Sequence, residues 1–262
     1  MAHARTGSNL VRCALPTAAF LFIALLFAGC RVAQRPTLTL SIAASLQDAM
    51  VEIESKYQQD RGPVEFRNNL GASGTLAREI EQGAPVDAII SAGAKPVDDL
   101  QAEGLLAQGT RTNLLRNTLV LIAPPDSKLT GFDDLATPAV RLVALGDPAS
   151  VPVGQYGRQT LNALNLYDKL HAKIVLGKDV RQVLTYVETG NADAGLVYGT
   201  DAHISTKVRV VAVAPESSHD PIVYPLAIVA GSRNQEATRD FVVYLSSPAA
   251  RAIFIKHGFT MA

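Results

Sequence analysis

From Thr37 onward, short apolar strands alternate with amphipathic helices, and this alternation is the feature that most constrains the fold. Residues 38–42 alternate in the manner of a strand, and a helix with Leu46, Ala49 and Met50 on its apolar face follows. Repeated units of this kind form parallel sheets with helices on both faces. The sequence therefore predicts an α/β fold, and its 262 residues suffice for one large or two medium domains.

The alternation restarts in the middle of the chain, which indicates two lobes. The wholly apolar run 118–123 is interpreted as a first crossing between lobes, and the run 224–230 as the return crossing. The helices after the return have no strands of their own. We therefore predict one lobe formed by residues 37–117 together with 225–262, and a second lobe formed by residues 118–224. Each lobe would have a central, mostly parallel sheet flanked by helices, with a ligand cleft between the lobes.

The N-terminus has the pattern of an export signal. Two arginines precede an apolar run at 18–29, which is shorter than the roughly 20 residues a membrane-spanning helix needs but fits the apolar core of a secretory signal. Residues 26–30 resemble a bacterial lipoprotein signal. We expect residues 1–29 to be removed as a signal peptide, Cys30 to be lipidated, and residues 30–36 to form a tether; conventional signal cleavage is the alternative. The protein would then be exported to the periplasm or cell envelope and anchored at the membrane surface through Cys30.

The sequence lacks the motifs of several common enzyme classes. It has no GxSxG elbow, no GxGxxG and no HExxH, and Gly177-Lys178-Asp179 departs from a phosphate-binding P-loop. The formal net charge is zero, which does not indicate nucleic-acid binding. Both cysteines, Cys13 and Cys30, precede the folded part, so no thiol nucleophile or disulfide is available there. We predict a protein that is not an enzyme, with no cofactor and no catalytic residue.

Five predicted strand-to-helix junctions hold hydrogen-bond donors suited to an anion. A helix start has backbone N–H groups without intrahelical partners and the positive end of the helix dipole, which together attract anions. The junctions hold the hydroxyls of Ser45 and Ser73, the backbone N–H groups of Val153 and Val180, and the hydroxyl of Tyr198. Each residue alone is also explained as a helix cap or a core residue. Because ligands of open α/β sheets bind at the carboxyl ends of strands, the five together predict an anion cleft closed from both lobes.

Several long motifs in the same order resemble the periplasmic molybdate-binding proteins of bacterial ABC importers, in the type II periplasmic binding protein class. The resemblance runs from about Leu38 to Thr260. Its motifs include Ala43-Ala44-Ser45-Leu46, Gly74-Thr75-Leu76-Ala77-Arg78-Glu79-Ile80-Glu81-Gln82-Gly83-Ala84-Pro85, Gly146-Asp147-Pro148 and Val197-Tyr198-Gly199-Thr200-Asp201-Ala202. It implies a monomeric binding protein that captures molybdate or tungstate and delivers it to the membrane permease of an ABC importer with its ATPase.

The resemblance also implies which residues bind the oxyanion. They are Ser45 and Ser73 through hydroxyls and nearby amides, Val153 and Val180 through backbone N–H groups, and Tyr198 through its hydroxyl. Molybdenum would be held only as molybdate, through these same residues. A site made solely of donors suits a fully ionised tetrahedral dianion, and it disfavours a protonated anion whose O–H would face another donor.

Other interpretations remain beside this one. Another tetrahedral oxyanion, such as sulfate, could bind on the same fold. A ferric site is disfavoured because Tyr198 has no adjacent tyrosine or acidic partner, and a transcription regulator would need a helix-turn-helix domain for which the short tether leaves no room. Arg181 and Lys178 are expected at the rim of the cleft, where they would steer the anion rather than bind it.

Overall fold

The computed structural model of the chain describes residues 1–4 and 35–262. Cys30 and all but the first four residues of the predicted signal peptide fall in 5–34, outside the described residues. Residues 36–262 form one structural unit, which contains every helix and strand named below. In the part of the chain that is described, no helix is both long and apolar enough to cross a membrane.

Strands and helices alternate through most of this unit. The strands are β1 Thr37–Ala43, β2 Glu65–Gly71, β3 Ala88–Ile90, β4 Thr112–Arg116, β5 Leu119–Ala123, β6 Val143–Gly146, β7 Ile174–Gly177, β8 Ala194–Tyr198, β9 Arg209–Val213, β10 Val223–Ile228 and β11 Thr260–Met261. The α-helices are α1 Gln47–Arg61, α2 Ser73–Glu81, α3 Ala94–Ala102, α4 Pro152–Ala163, α5 Tyr167–Leu170, α6 Val180–Glu188, α7 Gly199–His203, α8 Gln235–Tyr244 and α9 Pro248–Lys256. A 3-10 turn, Ala44–Leu46, connects β1 to α1.

The strands form two sheets. The first has the order β11-β4-β10-β3-β1-β2, and the second has the order β7-β6-β8-β5-β9. In the first sheet, β1 pairs in parallel with β2 and β3, whereas β10 pairs antiparallel with β3 and β4. In the second, β6 pairs in parallel with β7 and β8, whereas β5 pairs antiparallel with β8 and β9. The chain therefore leaves the first sheet after β4 and returns to it at β10.

The predicted α/β fold with two helix-flanked sheets is confirmed, with differences in its strands. Each sheet is mixed, because the strand that enters it from the other sheet, β5 or β10, runs against its neighbours. The C-terminal segment also has a strand that we did not predict, Thr260–Met261, which pairs with β4. Two residues are too few to produce a recognisable strand pattern.

Local sequence signals fix where several helices begin and end. Gly62 follows α1 with φ of 101°, a backbone conformation that glycine adopts without steric cost, and thereby ends the helix. Pro152 occupies the first turn of α4, where a missing N–H is tolerated. The Asp179 carboxylate caps α6 by accepting a hydrogen bond of 2.8 Å from the Gln182 N–H.

Parallel pairing aligns the carboxyl ends of neighbouring strands. Ala43 at the end of β1 lies opposite Gly71 at the end of β2, and Gly146 at the end of β6 lies opposite Gly177 at the end of β7. The turns that follow these strands consequently lie along one edge of each sheet. Buried apolar residues of both sheets pack into one cluster that supports these edges, and each fully buried leucine or isoleucine stabilises it by about 1.5–3 kcal/mol.

Candidate functional site

A small cavity, with a volume of about 10 Å³, lies between the strand ends of the two sheets. The side formed by elements of the first sheet, called the first wall, consists of Ala43, Ala44, Ser45, Gly71, Ala72, Ser73 and Ala92. The opposite side, the second wall, consists of Val151, Pro152, Val153, Val180 and Tyr198. All five predicted site residues therefore lie around one cavity.

Four backbone N–H groups at this cavity have no acceptor in the part of the chain that the structure describes. They belong to Ser45, Ser73, Val153 and Val180, each of which is at most 4% exposed. Within residues 35–262, no backbone carbonyl accepts a hydrogen bond from any of the four. More than nine in ten buried backbone N–H groups in proteins are paired, so four unpaired groups around one cavity call for an acceptor inside it.

The local sequence explains why these N–H groups are free. Val153 follows Pro152, which has no N–H, so Val153 supplies the first free donor of α4. Val180 is the first residue of α6, and the capping carboxylate of Asp179 is used on Gln182 instead. The interpretation of Ser45 as merely a helix cap is wrong. Ser45 lies inside the 3-10 turn and is not its N-cap residue, and that N-cap residue makes no side-chain capping bond.

The hydroxyl of Ser45 is held by a residue of the return strand. Ser45 Oγ lies 2.9 Å from the hydroxyl oxygen of Tyr224 on β10. Both residues are buried, with Ser45 4% exposed and Tyr224 fully buried. The position of this hydroxyl is therefore set by the core rather than by solvent.

The hydroxyl of Ser73 is held by the backbone. The Ala92 N–H donates a hydrogen bond of 2.9 Å to Ser73 Oγ. Because an N–H can only donate, the serine oxygen acts as acceptor in this bond and its own proton stays available. Ala92 follows β3, so three neighbouring strand ends, those of β1, β2 and β3, contribute to the first wall.

Tyr198 brings a protonated donor to the cavity from the end of β8. Its hydroxyl donates a hydrogen bond of 3.2 Å to the Ala92 carbonyl across the cavity, which is longer than usual for an O–H···O bond. Burial raises the pKa of Tyr198 well above its usual value, and the nearby Tyr224 and Asp201 raise it further. The phenol therefore keeps its proton, which can be directed to an anion instead of the carbonyl.

No charged side chain lines either wall, and Arg181 is paired elsewhere. Its guanidinium lies 2.7 Å from an Asp48 carboxylate oxygen, and its Nε lies 2.9 Å from Oδ1 of the fully buried Asp201. The second contact is an ion pair without an aligned hydrogen bond, since neither Nε nor the Asp201 oxygens have a hydrogen-bond partner in the described part of the chain. Arg181 therefore lies in ion pairs with two carboxylates, and its steering of anions from the rim stays a prediction. Arg181 also connects α6 to α1 across the gap between the sheets.

Asp201 is the titratable group most affected by this arrangement. Burial raises its pKa from 3.8 to about 7, although the Arg181 charge acts in the opposite direction. The desolvation of the carboxylate thus outweighs its attraction to the guanidinium.

Beside the cavity, elements of the two sides come into contact through the backbone of glycine residues. The Gly74 N–H on α2 donates a hydrogen bond of 3.0 Å to the Ser150 carbonyl, which precedes α4. A Cβ at Gly74 would lie 2.6 Å from that carbonyl oxygen, closer than real Cβ atoms come to other atoms. Gly93 makes a similar approach, since a Cβ there would lie 3.0 Å from Cβ of Pro152. A side chain at Gly74 would therefore force the two sides apart, whereas one at Gly93 would require its neighbours to shift by a few tenths of an ångström.

Sequence reasoning missed three residues that support the site. Ala92 follows β3 in the same manner as the predicted junctions, so the pattern of strand ends could have identified it. Asn117 and Tyr224 lie in the segments that join the two sheets, and neither belongs to a helix start. Only their contacts in the folded chain reveal them.

Comparison with known proteins agrees with this fold. Residues 38–260 match the model of a family described as bacterial extracellular solute-binding protein. A protein named as an ABC transporter substrate-binding lipoprotein, YvgL of Bacillus subtilis, is 45% identical over 245 residues, which cover 90% of this chain and 94% of YvgL.

Two further relatives are named for molybdenum or its oxyanion. The molybdate-binding protein ModA of Haemophilus influenzae is 39% identical over 244 residues, covering 90% of this chain and 96% of ModA. A solved structure from Clostridium difficile, described as the substrate-binding domain of a molybdenum ABC transporter, is 42% identical with a TM-score of 0.68 and covers 86% of this chain and 99% of that one.

These relatives are substrate-binding proteins rather than enzymes, and their fold is the two-lobed type II periplasmic binding protein fold that the sequence predicts. With the family model matched over nearly all of the described chain, this protein belongs to the bacterial extracellular solute-binding protein family.

Proposed function

We propose that this protein is the substrate-binding protein of a molybdate ABC importer. It binds molybdate or tungstate in the cavity between the two walls and delivers the anion to a membrane permease with its ATPase. The observation that carries this proposal is the set of four buried N–H groups that have no acceptor among the described residues, joined at one cavity by two serine hydroxyls and a protonated phenol.

The chemistry of the cavity matches a fully ionised tetrahedral anion. Such an anion offers only acceptor lone pairs, and the walls present donors through Ser45, Ser73, Val153, Val180 and Tyr198. A protonated anion would direct its O–H toward one of these donors, leaving a buried donor unpaired at a cost of about 1–3 kcal/mol. Hydrogen bonds to an ionised acceptor are roughly twice as strong as neutral ones, and the helix starts add partial positive charge. The site therefore needs no arginine or lysine.

Binding is coupled to closure of the two lobes. In this proposal, one lobe comprises residues 37–117 with 225–262 and the other residues 118–224. The first wall alone offers only part of the hydrogen-bond donors, so an anion bound there gains the remaining hydrogen bonds only when the second wall approaches. Ligand therefore shifts the population toward the closed state, which is the form recognised by the permease.

The relatives support molybdate over the sulfate alternative. ModA of Haemophilus influenzae is named for molybdate, and ModA of Escherichia coli, also so named, is 39% identical over 240 residues. The sulfate-binding protein SubI of Mycobacterium tuberculosis is similar in structure but only 17% identical, so that likeness concerns the fold alone.

The N-terminus fits the same function. We propose that residues 1–29 are removed, that Cys30 is lipidated, and that residues 30–36 tether a monomeric protein to the membrane surface. The naming of YvgL as a lipoprotein supports this arrangement. The mass of the mature protein isolated from a membrane fraction tests it: a diacylated N-terminal cysteine is expected, and an unmodified N-terminus at another residue would contradict it.

Isothermal titration calorimetry with molybdate, tungstate and sulfate tests the proposed function. We expect one site per chain with heat from molybdate and tungstate and much weaker binding of sulfate. No heat from molybdate, or equal affinity for sulfate, would overturn the proposal.

The ligand residues are tested separately with the double variant Ser45→Ala, Ser73→Ala. Its molybdate affinity should fall by about 100-fold or more, because two donors to a charged acceptor are lost at about 1.5–3 kcal/mol each. The matched control Ser55→Ala, Ser246→Ala removes two exposed hydroxyls and should bind as wild type. Normal binding by the site variant would overturn the residue assignment while leaving the function in place.

A further inference from the structure

A chain of hydrogen bonds runs from the cavity into the segments that join the two sheets. Ser45 Oγ lies 2.9 Å from the Tyr224 hydroxyl oxygen, and that oxygen lies 3.1 Å from Nδ2 of Asn117. The same Nδ2 lies 2.9 Å from the hydroxyl oxygen of Thr200 on α7. Asn117 lies between β4 and β5. This series of hydrogen bonds therefore connects the first wall to the segment that crosses between the sheets and to α7.

The backbone fixes the direction of the first bond in this chain. The Thr118 N–H lies 2.9 Å from Oδ1 of Asn117. A backbone N–H can only donate, so the side-chain atom facing it must be the carbonyl oxygen rather than the NH₂ group. The amide of Asn117 is therefore oriented with its NH₂ group toward Tyr224 and Thr200, and it donates one proton to each.

The orientation of Asn117 in turn fixes the direction of the next bond. The Tyr224 oxygen accepts a proton from Asn117, and Tyr224 is fully buried. Burial also raises the pKa of Tyr224, so it keeps its phenolic proton. In the described part of the chain, Ser45 Oγ is the one acceptor within hydrogen-bonding distance of that proton. The reverse direction would leave a buried O–H without an acceptor, which buried polar groups rarely show.

Ser45 consequently receives a proton from Tyr224 and keeps its own for the cavity that it lines. Ser73 reaches the same state by a different route, since the Ala92 N–H donates to its oxygen. Both serine hydroxyls of the first wall are thus constrained to act as donors toward a ligand.

We propose that Asn117 and Tyr224 are positioning residues that fix the Ser45 hydroxyl as a hydrogen-bond donor to the bound oxyanion; this inference rests on the proposed function. Neither residue touches the anion. They act by occupying the acceptor side of the Ser45 oxygen, so that no reorientation of the hydroxyl is needed when the anion binds.

A double-mutant cycle on molybdate affinity tests the proposal. Tyr224→Phe keeps the ring packing and removes the hydroxyl, after which Ser45 can rotate its proton away from the cavity. We expect a loss of affinity of about five- to tenfold in the wild-type background and of less than twofold in the Ser45→Ala background, since there the residue that Tyr224 acts through is gone. The control Tyr244→Phe removes a hydroxyl bonded to Asp60 and should change affinity by less than twofold.

A purely structural role of Tyr224 predicts a different result. If the hydroxyl served only to hold β10 in place, Tyr224→Phe would reduce affinity by the same factor with and without the Ser45 hydroxyl. Equal factors in the two backgrounds, or no loss in either, would overturn the proposal. If wild-type protein showed no heat with molybdate, the proposed function would fail and this inference with it, so the two failures are distinguishable.

A second variant reverses the donor and acceptor roles along this series of hydrogen bonds. In Asn117→Asp, the carboxylate takes the place of the NH₂ group and accepts the proton of Tyr224. The Tyr224 oxygen then becomes an acceptor for Ser45, whose proton is drawn away from the cavity. We expect a loss at least as large as that of Tyr224→Phe, again abolished by Ser45→Ala, and wild-type affinity in Asn117→Asp would overturn the proposal.

Discussion

The two walls of the cavity present similar donors by different means. In the first wall, the side chains of Ser45 and Ser73 supply hydroxyls whose oxygens are tied by Tyr224 and Ala92. In the second wall, the helix starts at Val153 and Val180 supply backbone N–H groups, and one side chain, Tyr198, adds a hydroxyl. Side-chain donors can be removed by substitution, whereas backbone donors persist in any residue but proline. Substitutions in the first wall should therefore lower the anion affinity more than substitutions in the second wall, although both walls contribute donors.

The two walls also differ in the burial of the charged groups that lie behind them. Arg181 has a fully buried partner on the second-sheet side, Asp201, and a half-exposed partner on the first-sheet side, Asp48. The buried partner loses its solvation on folding, whereas the half-exposed partner keeps much of it. pH-dependent stability should therefore arise behind the second wall.

The largest effect is expected from this buried carboxylate. Because the pKa of Asp201 is raised to about 7 in the folded state, the folded protein binds its proton more tightly than the unfolded chain does. The stabilisation is complete below pH 3.8 and is lost as pH rises toward and through 7. Its contribution to the free energy of unfolding should fall by roughly 3 kcal/mol between about pH 5 and about pH 8.

Chemical denaturation of wild type and Asp201→Asn across this pH range checks that contribution. The variant should lose the corresponding part of the pH dependence, so that its stability relative to wild type rises with pH. Parallel profiles for wild type and Asp201→Asn would contradict a buried, titrating carboxylate at this position.

The next largest effect is expected where the two walls touch. Gly74→Ala places a Cβ against the Ser150 carbonyl, which disfavours closure without disturbing α2, where alanine is the better helix former. We expect molybdate affinity to fall by about 10- to 100-fold, from an overpacking cost of about 1–3 kcal/mol, while the melting temperature without ligand stays equal or rises. Calorimetry and thermal melts measure both quantities. Gly131→Ala, at a position with open space around its Cβ, is the matched control, and an unchanged affinity in Gly74→Ala would show that closure tolerates a side chain there.

A single first-wall substitution tests the sensitivity of that wall. Ser73→Ala removes one donor to the anion and also leaves the Ala92 N–H without its acceptor. Affinity should fall by about tenfold or more, since a hydrogen bond to a charged acceptor contributes about 1.5–3 kcal/mol. The exposed Ser55→Ala serves as control in the same titration, and a loss below twofold for Ser73→Ala would remove this residue from the site.

A smaller effect is expected from the ion pair that joins the two sides. Asp48→Asn removes the half-exposed partner of Arg181 while leaving the buried one in place. An exposed pair contributes about 0.2–1 kcal/mol, so affinity should fall by a factor of about two to five, and less at high salt. The exposed pair of Lys95 and Asp99 provides the control Asp99→Asn. A loss that did not diminish with salt would contradict an electrostatic origin.

The smallest effect on binding is expected in the second wall. Val153→Ala keeps the backbone N–H and should change molybdate affinity by less than twofold, whereas the loss of a fully buried side chain should lower the free energy of unfolding by roughly 2 kcal/mol. Titration and denaturation of the same preparation separate the two effects. A tenfold loss of affinity would break the distinction between side-chain and backbone donors.

Much of the fold and of the cavity could be predicted because strand ends and helix starts are local features. The junctions at Ser45, Ser73, Val153, Val180 and Tyr198 follow from apolar patterns and turn residues, and parallel pairing brings them together. The direction of the crossing strands β5 and β10 could not be predicted, since it depends on which sheet a strand joins.

The contacts that support the site could not be predicted from the sequence either. Tyr224 lies 179 positions from Ser45, and Arg181 lies 133 positions from Asp48, so no local pattern relates them. The neutralisation of Arg181 in particular depends on burial of Asp201, which only the packed structure establishes.

A crystal structure of the protein with molybdate tests the central claim most directly. We predict one anion between the walls, with its oxygens within hydrogen-bonding distance of the backbone N–H groups of Val153 and Val180 and of the hydroxyls of Ser45, Ser73 and Tyr198. Arg181 should remain paired with its two carboxylates and away from the anion. An anion bound at another place, or one held by an arginine or lysine side chain, would contradict a site built from neutral donors.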